Sequence, residues 1–306
     1  PELILRILAS DSIEELSLSN CDLRGVIVPE TLPASLKIVS LLMATNIPPE
    51  LMSRALASDR IEELDLSYCN LRGVIVPETL PASLRIVSLL MARDIPPELM
   101  SRALASANIE GLSLSNCDLS GVIVPETLPT SLKIVNLRQA ENIPPELILR
   151  ILASDSIEEL DLTFCDLRGV IVPETLPASL KALNIRQAEN IPPELMSRAL
   201  ASDSIEELSL YGCDLSGVIV PETLPASLKR LKLKWAENIP PELILRILNS
   251  TNIEELNLSN CDLRGVIVPE TLPASLKTLN LRYAKNIPPE LISRALASDS
   301  IEELDL

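Results

Sequence analysis

Six cysteines, Cys21, Cys69, Cys117, Cys165, Cys213 and Cys261, are the first candidates for chemistry, since thiolates ligate metals, form disulfides and attack electrophiles. Each lies 48 residues from the next. Paired carboxylates of the Glu14-Glu15 kind, which could serve general acid–base catalysis, return at the same interval in most copies. Catalysis needs a convergent set of unlike groups, whereas these groups recur alike at fixed distances. The chain has no histidine for proton transfer and no glycine-rich phosphate loop. Asn249-Ser250-Thr251 and Asn257-Leu258-Ser259 fit glycosylation sequons, but the chain opens Pro1-Glu2-Leu3 without a basic-then-apolar leader, so they read as chance matches. No enzyme, no cofactor and no metal site are expected.

What positions these residues is the period itself. Ile13-Glu14-Glu15-Leu16 returns at Ile61, Ile109 (as Ile-Glu-Gly-Leu), Ile157, Ile205, Ile253 and Ile301. A period of this size describes a stacked array, in which each unit buries its apolar face against its neighbours. Units begin at residues 13, 61, 109, 157, 205 and 253, with partial units at 1–12 and 301–306, so 1–306 is expected to form a single solenoid domain. Apolar residues make up 47% of the chain and aromatics 2%, which requires an aliphatic core. The formal charge of −17 argues against a nucleic-acid partner, which would need a basic face. No apolar run approaches the roughly 18 residues of a membrane span.

Each period splits into two coils. The first reads Ile13-x-x-Leu16-x-Leu18-x-x-Cys21-x-Leu23, and the second Leu36-x-x-Val39-x-Leu41-x-x-Ala44 followed by Ile47. Both carry apolar residues at the same offsets, and the Leu16-x-Leu18 alternation marks a short strand with its leucines turned inward. This pattern resembles the leucine-rich repeat superfamily, L-x-x-L-x-L-x-x-N/C-x-L, over essentially the whole chain. The run Leu23-Arg24-Gly25-Val26-Ile27-Val28-Pro29 is similar to the L-x-G-x-I-P return of plant-type repeats, with one extra residue before the proline. The resemblance implies an α/β solenoid, a right-handed horseshoe or arc whose concave side is a parallel sheet of about 13 short strands. Its binding role is what the superfamily shares, since its members serve as receptors, inhibitors and effectors alike.

The two returns differ. Gly25 should supply a backbone angle closed to other residues, while Pro29 and Pro33 keep the first return extended. From Ile47 to Ser58 the second return reads as a short helix, with proline in its first turn, Glu50 at the dipole's positive end and Leu51, Met52, Ala55 and Leu56 facing inward. The convex side should therefore alternate helices with extended, proline-rich returns. Equivalent cysteines then stand two strand spacings apart, roughly 9–10 Å. Disulfides need Cα atoms within about 7 Å, so the thiols should be buried and reduced, which fits a cytoplasmic protein.

Where the period breaks, a specific job could be written. The return from Val26 to Ser35 recurs six times with Thr130 its only deviation, but outward positions of the second-coil strands vary. Ile38, Ile86 and Ile134 become Ala182, Arg230 and Thr278, and Ser40 and Ser88 become Asn136, Asn184, Lys232 and Asn280. Leu42 and Leu90 become Arg138, Arg186, Lys234 and Arg282, while Met43 and Met91 become Gln139, Gln187, Trp235 and Tyr283. In the first coils Tyr68, Phe164 and Tyr211 replace small polar residues at or beside the same rows. All are expected on the concave face, where exposed apolar, aromatic and arginine side chains mark contact surfaces. A second set, Glu14, Lys37, Glu62, Arg85, Glu110, Lys133, Glu158, Lys181, Glu206, Lys229, Glu254, Lys277 and Glu302, should stack in alternating sign and hold register.

Residues 1–18 match residues 289–306 in register, and neither end carries a polar cap. Two function classes follow: a recognition scaffold with a protein partner in the concave groove, or a structural or self-assembling array, a fragment of a longer solenoid or a designed consensus protein, that stacks head to tail through uncapped strand edges.

Overall fold

The computed structural model describes residues 2–306; Pro1, read above as the start of a partial copy, lies outside the described residues. Two compact units, Pro1–Ile157 and Glu158–Leu306, divide the chain. In each coil the leucine alternation sustains a single buried pleat, so every strand is three residues long. The first unit holds β1 (Glu15–Ser17), β2 (Ile38–Ser40), β3 (Glu63–Asp65), β4 (Ile86–Ser88), β5 (Gly111–Ser113) and β6 (Ile134–Asn136). Each runs parallel to the next, with Leu16, Val39, Leu64, Val87, Leu112 and Val135 in one paired row. The second unit holds β7 (Glu159–Asp161), β8 (Ala182–Asn184), β9 (Glu207–Ser209), β10 (Arg230–Lys232), β11 (Glu255–Asn257), β12 (Thr278–Asn280) and β13 (Glu303–Asp305). Its paired row is Leu160, Leu183, Leu208, Leu231, Leu256, Leu279 and Leu304. All of these central residues except Leu304 are buried. Each such leucine contributes about 1.5–3 kcal/mol relative to exposure.

Parallel neighbours need a long crossover between them, and the coil's return provides it. After each second-type coil the crossover is helical. The first unit contains α1 (Glu2–Ile7), α2 (Pro49–Ala57), α3 (Pro97–Ala105) and α4 (Pro145–Leu152), and the second α5 (Pro193–Leu200), α6 (Pro241–Leu248) and α7 (Pro289–Leu296). The buried stripe of α2 is Leu51, Met52, Ala55 and Leu56, as its spacing requires. In α4 and α6 the stripe becomes Leu147, Ile148, Ile151, Leu152 and Leu243, Ile244, Ile247, Leu248. Four of the helices, α2, α3, α5 and α7, carry an arginine that donates to the carbonyl of the preceding return: Arg54 to Val28 (2.8 Å), Arg102 to Val76 (2.8 Å), Arg198 to Val172 (2.7 Å) and Arg294 to Val268 (2.6 Å).

After each first-type coil the return is extended. Its glycine does adopt left-handed φ, +71° at Gly25 and +82° at Gly73. A Cβ on Gly73 would meet Pro49 only at ordinary contact, 3.6 Å, so the angle and not the space demands glycine. Ser53 ties this return to the helix: its hydroxyl donates to the Pro49 carbonyl and accepts from the Ile75 N–H, both at 2.8 Å. Ser101 with Ile123 and Ser197 with Ile219 repeat the brace. At Leu149 and Leu245 the equivalent position is apolar and has no hydroxyl to offer.

All the cysteines but Cys21 are buried, and Cys21, in the first complete coil, is half-buried. The Cys69 thiol donates to the Leu41 carbonyl at 3.0 Å and Cys117 to Leu89 at 3.0 Å. In the second unit Cys213 bonds Ile185 (3.2 Å) and Cys261 bonds Leu233 (2.9 Å). Burial pushes the thiols of Cys69, Cys117 and Cys213 up to about 12 and that of Cys261 to about 11. Such thiols are poor nucleophiles and poor metal ligands.

Candidate binding surface

The variable rows lie where the strands end. Because each strand is only three residues long, pleat alternation governs Ile38 and Ser40 and their equivalents but not the residues beyond them. Those are placed by a tight turn whose second residue takes left-handed φ. The row comprises Asn20, Met43, Tyr68, Met91, Asn116 and Gln139 in the first unit, and Phe164, Gln187, Gly212, Trp235, Asn260 and Tyr283 in the second. The non-glycine members have φ between +48° and +62°. Asn and Gly are the residues that tolerate this region; for an aromatic or methionine it is unfavourable. Asn20, Asn116, Asn260 and Gly212 show what relieves the strain, and Met43, Tyr68, Met91, Phe164, Trp235 and Tyr283 depart from it.

These departures are exposed: Trp235 at 53% and Tyr283 at 67% are the most open of the aromatics, and Met43, Tyr68, Met91 and Phe164 are open too. Strand alternation alone would have turned Met43 inward; the turn brings it out. Leu42 and Leu90, expected to be exposed, are half-buried. Their neighbours stand about one strand spacing, 4.8 Å, away, so the side chains in that row cover one another. The same holds for Arg186, Tyr211, Arg230 and Lys234, whereas Arg138, Lys232 and Arg282 are exposed.

In the second unit the arginines stack on rings. The Arg186 guanidinium lies 4.0 Å from the Tyr211 ring centre and 5.9 Å from that of Phe164, and Lys234 approaches Tyr211 from 5.8 Å. Arg282 sits 5.0 Å over Tyr283 and donates to its hydroxyl at 3.3 Å. Arg230 pairs with Glu207. Tyr211 is followed by Gly212, where a Cβ would stand 2.6 Å from Gln187 Cγ. Tyr211 and Gly212 thus both depart from the Ser-Asn that stands at 19–20, 115–116 and 259–260.

Three regularities escaped the sequence reading. Beneath the ridge runs a row of buried hydroxyls: Ser67 shares a 2.8 Å hydrogen bond with Ser88, Ser115 donates to Asn136 (2.7 Å) and Ser259 to Asn280 (2.5 Å). Beyond the ridge, each repeat pairs one carboxylate with one amide. Asn46 donates to Asp22 (2.8 Å), Asn142 to Asp118 (2.8 Å), Asn190 to Asp166 (2.7 Å), Asn238 to Asp214 (2.8 Å) and Asn286 to Asp262 (2.7 Å). In the remaining repeat the residues are exchanged, Asn70 donating to Asp94 at 2.9 Å. That paired exchange was visible at the period and could have revealed the contact. On the returns, Ile27, Ile75, Ile123, Ile171, Ile219 and Ile267 are 67–75% exposed, so burial does not account for their invariance. A β-branched side chain suits extended backbone, and that is the local reason for it.

The alternating charge row exists as discrete pairs: Lys37–Glu14 (3.0 Å), Arg85–Glu110 (2.8 Å), Lys181–Glu158 (3.3 Å) and Lys229–Glu206 (3.2 Å). Clefts on the helix side, such as that lined by Glu174, Leu176, Arg198 and Asp203, recur with the same residues at Glu270, Leu272, Arg294 and Asp299, which marks them as scaffold. Among the described residues no helix is long and apolar enough to cross a membrane.

The Leucine Rich Repeat family model matches residues 12–33, 60–81 and 252–273. The intervening first-type coils copy these matched stretches at the 48-residue period, so the chain carries leucine-rich repeats. No curated protein sequence matches it significantly. Its structure is similar to that of a leucine-rich repeat protein of Leptospira interrogans, at 20% identity, with 90% of this chain and 81% of that one covered and a TM-score of 0.49. YopM from Yersinia enterocolitica is also similar, at 20% identity with 98% and 57% covered and a TM-score of 0.37.

Proposed function

We propose that the chain is a non-catalytic recognition scaffold that binds a protein partner through the sheet face and the ridge at its strand ends. One observation carries this reading: bulky residues occupy the left-handed turn in both coil types, a position that Asn or Gly fills in four of the six first-type coils. Strain kept at exposed positions, where a less strained residue is at hand, points to a use outside folding. The residue types agree, since Trp, Tyr, Met and Arg are those enriched at the centres of interfaces. Affinity capture tests each unit by itself. One variant carries Met43→Asn, Tyr68→Asn and Met91→Asn, the other Trp235→Asn and Tyr283→Asn. We expect each to fold with stability within about 1 kcal/mol of the parent, the relief of φ strain offsetting lost packing. At least one should lose a captured protein. Unchanged capture by both variants would overturn the reading.

A further inference from the structure

We infer that the second unit's ridge is built for an acidic protein segment: two carboxylates held by Arg186 and Arg282, with an apolar side chain seated on Trp235 between them. This rests on the recognition reading above and names the chemistry of its partner. The chain is acidic overall, at −17, yet all three outward positions of β10 and the turn that follows it are basic: Arg230, Lys232 and Lys234. Only Arg230 has a carboxylate partner, Glu207. Lys232 is exposed with no acid within ion-pairing distance among the described residues.

Arg186 is the better-built anchor. Its guanidinium stands over Tyr211 and beside Phe164, and its Nε is buried without a hydrogen-bond partner. Next to Phe164, the hydroxyl of Thr163 is likewise buried and unpartnered, in the row where Ser67, Ser115 and Ser259 bond across to the next strand. The satisfied polar row is thus interrupted where the stacked arginine stands. A guanidinium placed over a ring keeps N–H groups for a ligand, and its fork matches a carboxylate in two parallel hydrogen bonds. Arg282 over Tyr283 repeats the device.

Spacing sets the ligand. Arg186 follows β8 and Arg282 follows β12, four strand spacings or roughly 19 Å apart. An extended peptide rises about 3.3 Å per residue, so carboxylates six residues apart span that distance. Trp235, which follows β10, stands midway and offers its exposed indole to the residue between. A phosphate backbone fits less well. It carries charge continuously and needs a net basic face, whereas here Asp161, Glu207, Glu255 and Asp305 lie on the neighbouring strands.

Trp235 is the only tryptophan of the chain, so its emission reports binding directly. The probe is a pooled peptide library of the form acid-x-x-Leu-x-x-acid, with an amide pool carrying Asn and Gln in place of the acids. Single-stranded polyuridylate serves as the phosphate comparator. At 50 mM salt the acid pool should bind at least tenfold tighter than the amide pool and weaken as salt rises. Arg186→Gln and Arg282→Gln should each weaken it about tenfold, Arg186→Lys should fall between, and Lys277→Gln should change nothing. Equal binding of the two pools, tighter binding of polyuridylate, or indifference to both arginine variants overturns the acid-anchor assignment. If that happens while the Trp235→Asn, Tyr283→Asn variant still loses a captured protein, the recognition reading stands and only the partner chemistry is wrong.

Discussion

A cysteine repeated at a fixed interval invites chemistry, and its surroundings remove it. The thiols of Cys69, Cys117, Cys213 and Cys261 lose water, which raises them more than the neighbouring backbone N–H groups lower them, so the thiolate is disfavoured. Cys21 differs because it is half-buried. With a water-soluble disulfide reagent at pH 8, the native chain should label at Cys21 within minutes, and the other cysteines only in denaturant. Fast native labelling at Cys69 or Cys117 would show that the coils open readily there. The ridge residues make the converse case: their types were legible in the sequence as breaks in the period, but their conformation was not. Pleat alternation would have put Met43 inside, and only the left-handed turn explains why Met43 and Trp235 come out. The half-burial of Leu42 and Leu90 was hidden for the same reason, since it depends on neighbours one strand spacing away and not on the residue itself.

At the scale of the coil, the sequence was a nearly complete guide. The strand centres and the α2 stripe of Leu51, Met52, Ala55 and Leu56 follow from apolar spacing alone. What it hid were polar contacts between coils, such as the pairing of Asp118 with Asn142, because these join residues 24 apart whose types suit any turn. The exchanged pair Asn70 and Asp94 provides the control. Asn142→Asp sets two carboxylates together and should cost on the order of 0.5–1 kcal/mol, at the low end of a hydrogen bond's worth because the site is exposed. Asp118→Asn leaves two amides and should cost less. The double exchange should recover most of both losses, measured as urea midpoints in a double-mutant cycle. Strictly additive losses would show that the two side chains do not depend on one another. The serine brace makes a similar link between helix and return, and it is absent where Leu149 and Leu245 stand.

For the molecule as a whole, composition dictates an unusual pH response. The chain has no histidine, and the buried thiols of Cys69, Cys117, Cys213 and Cys261 are pushed away from neutrality, so between pH 6 and 8 none of these groups changes charge. Acid is different. The neighbouring amides of Asn46, Asn190 and Asn286, with backbone N–H groups behind them, hold the carboxyls of Asp22, Asp166 and Asp262 below their ordinary value of 3.8. At Asp118 the hydroxyl of Ser120 leads and Asn142 follows, and at Asp214 Asn238 leads and Ser216 follows. Each folded value lies below the unfolded one, so the unfolded chain binds more protons between the two. The stability these groups contribute is therefore complete above about 3.8 and is lost as pH falls through the lower folded values. Protonation also uncovers 26 Lys and Arg side chains with ever fewer anions to balance them. Salt separates the two causes, because at 1 M the screening length is only about 3 Å, which removes the long-range repulsion and leaves the direct hydrogen bonds. The urea midpoint should stay level from pH 8 to pH 6 and drop below about pH 4. One molar salt should reduce that drop without abolishing it. A slope between pH 8 and 6 would show that another group titrates on unfolding there, and an acid loss that salt removes entirely would show that the Asp–Asn ladder does not hold the coils together.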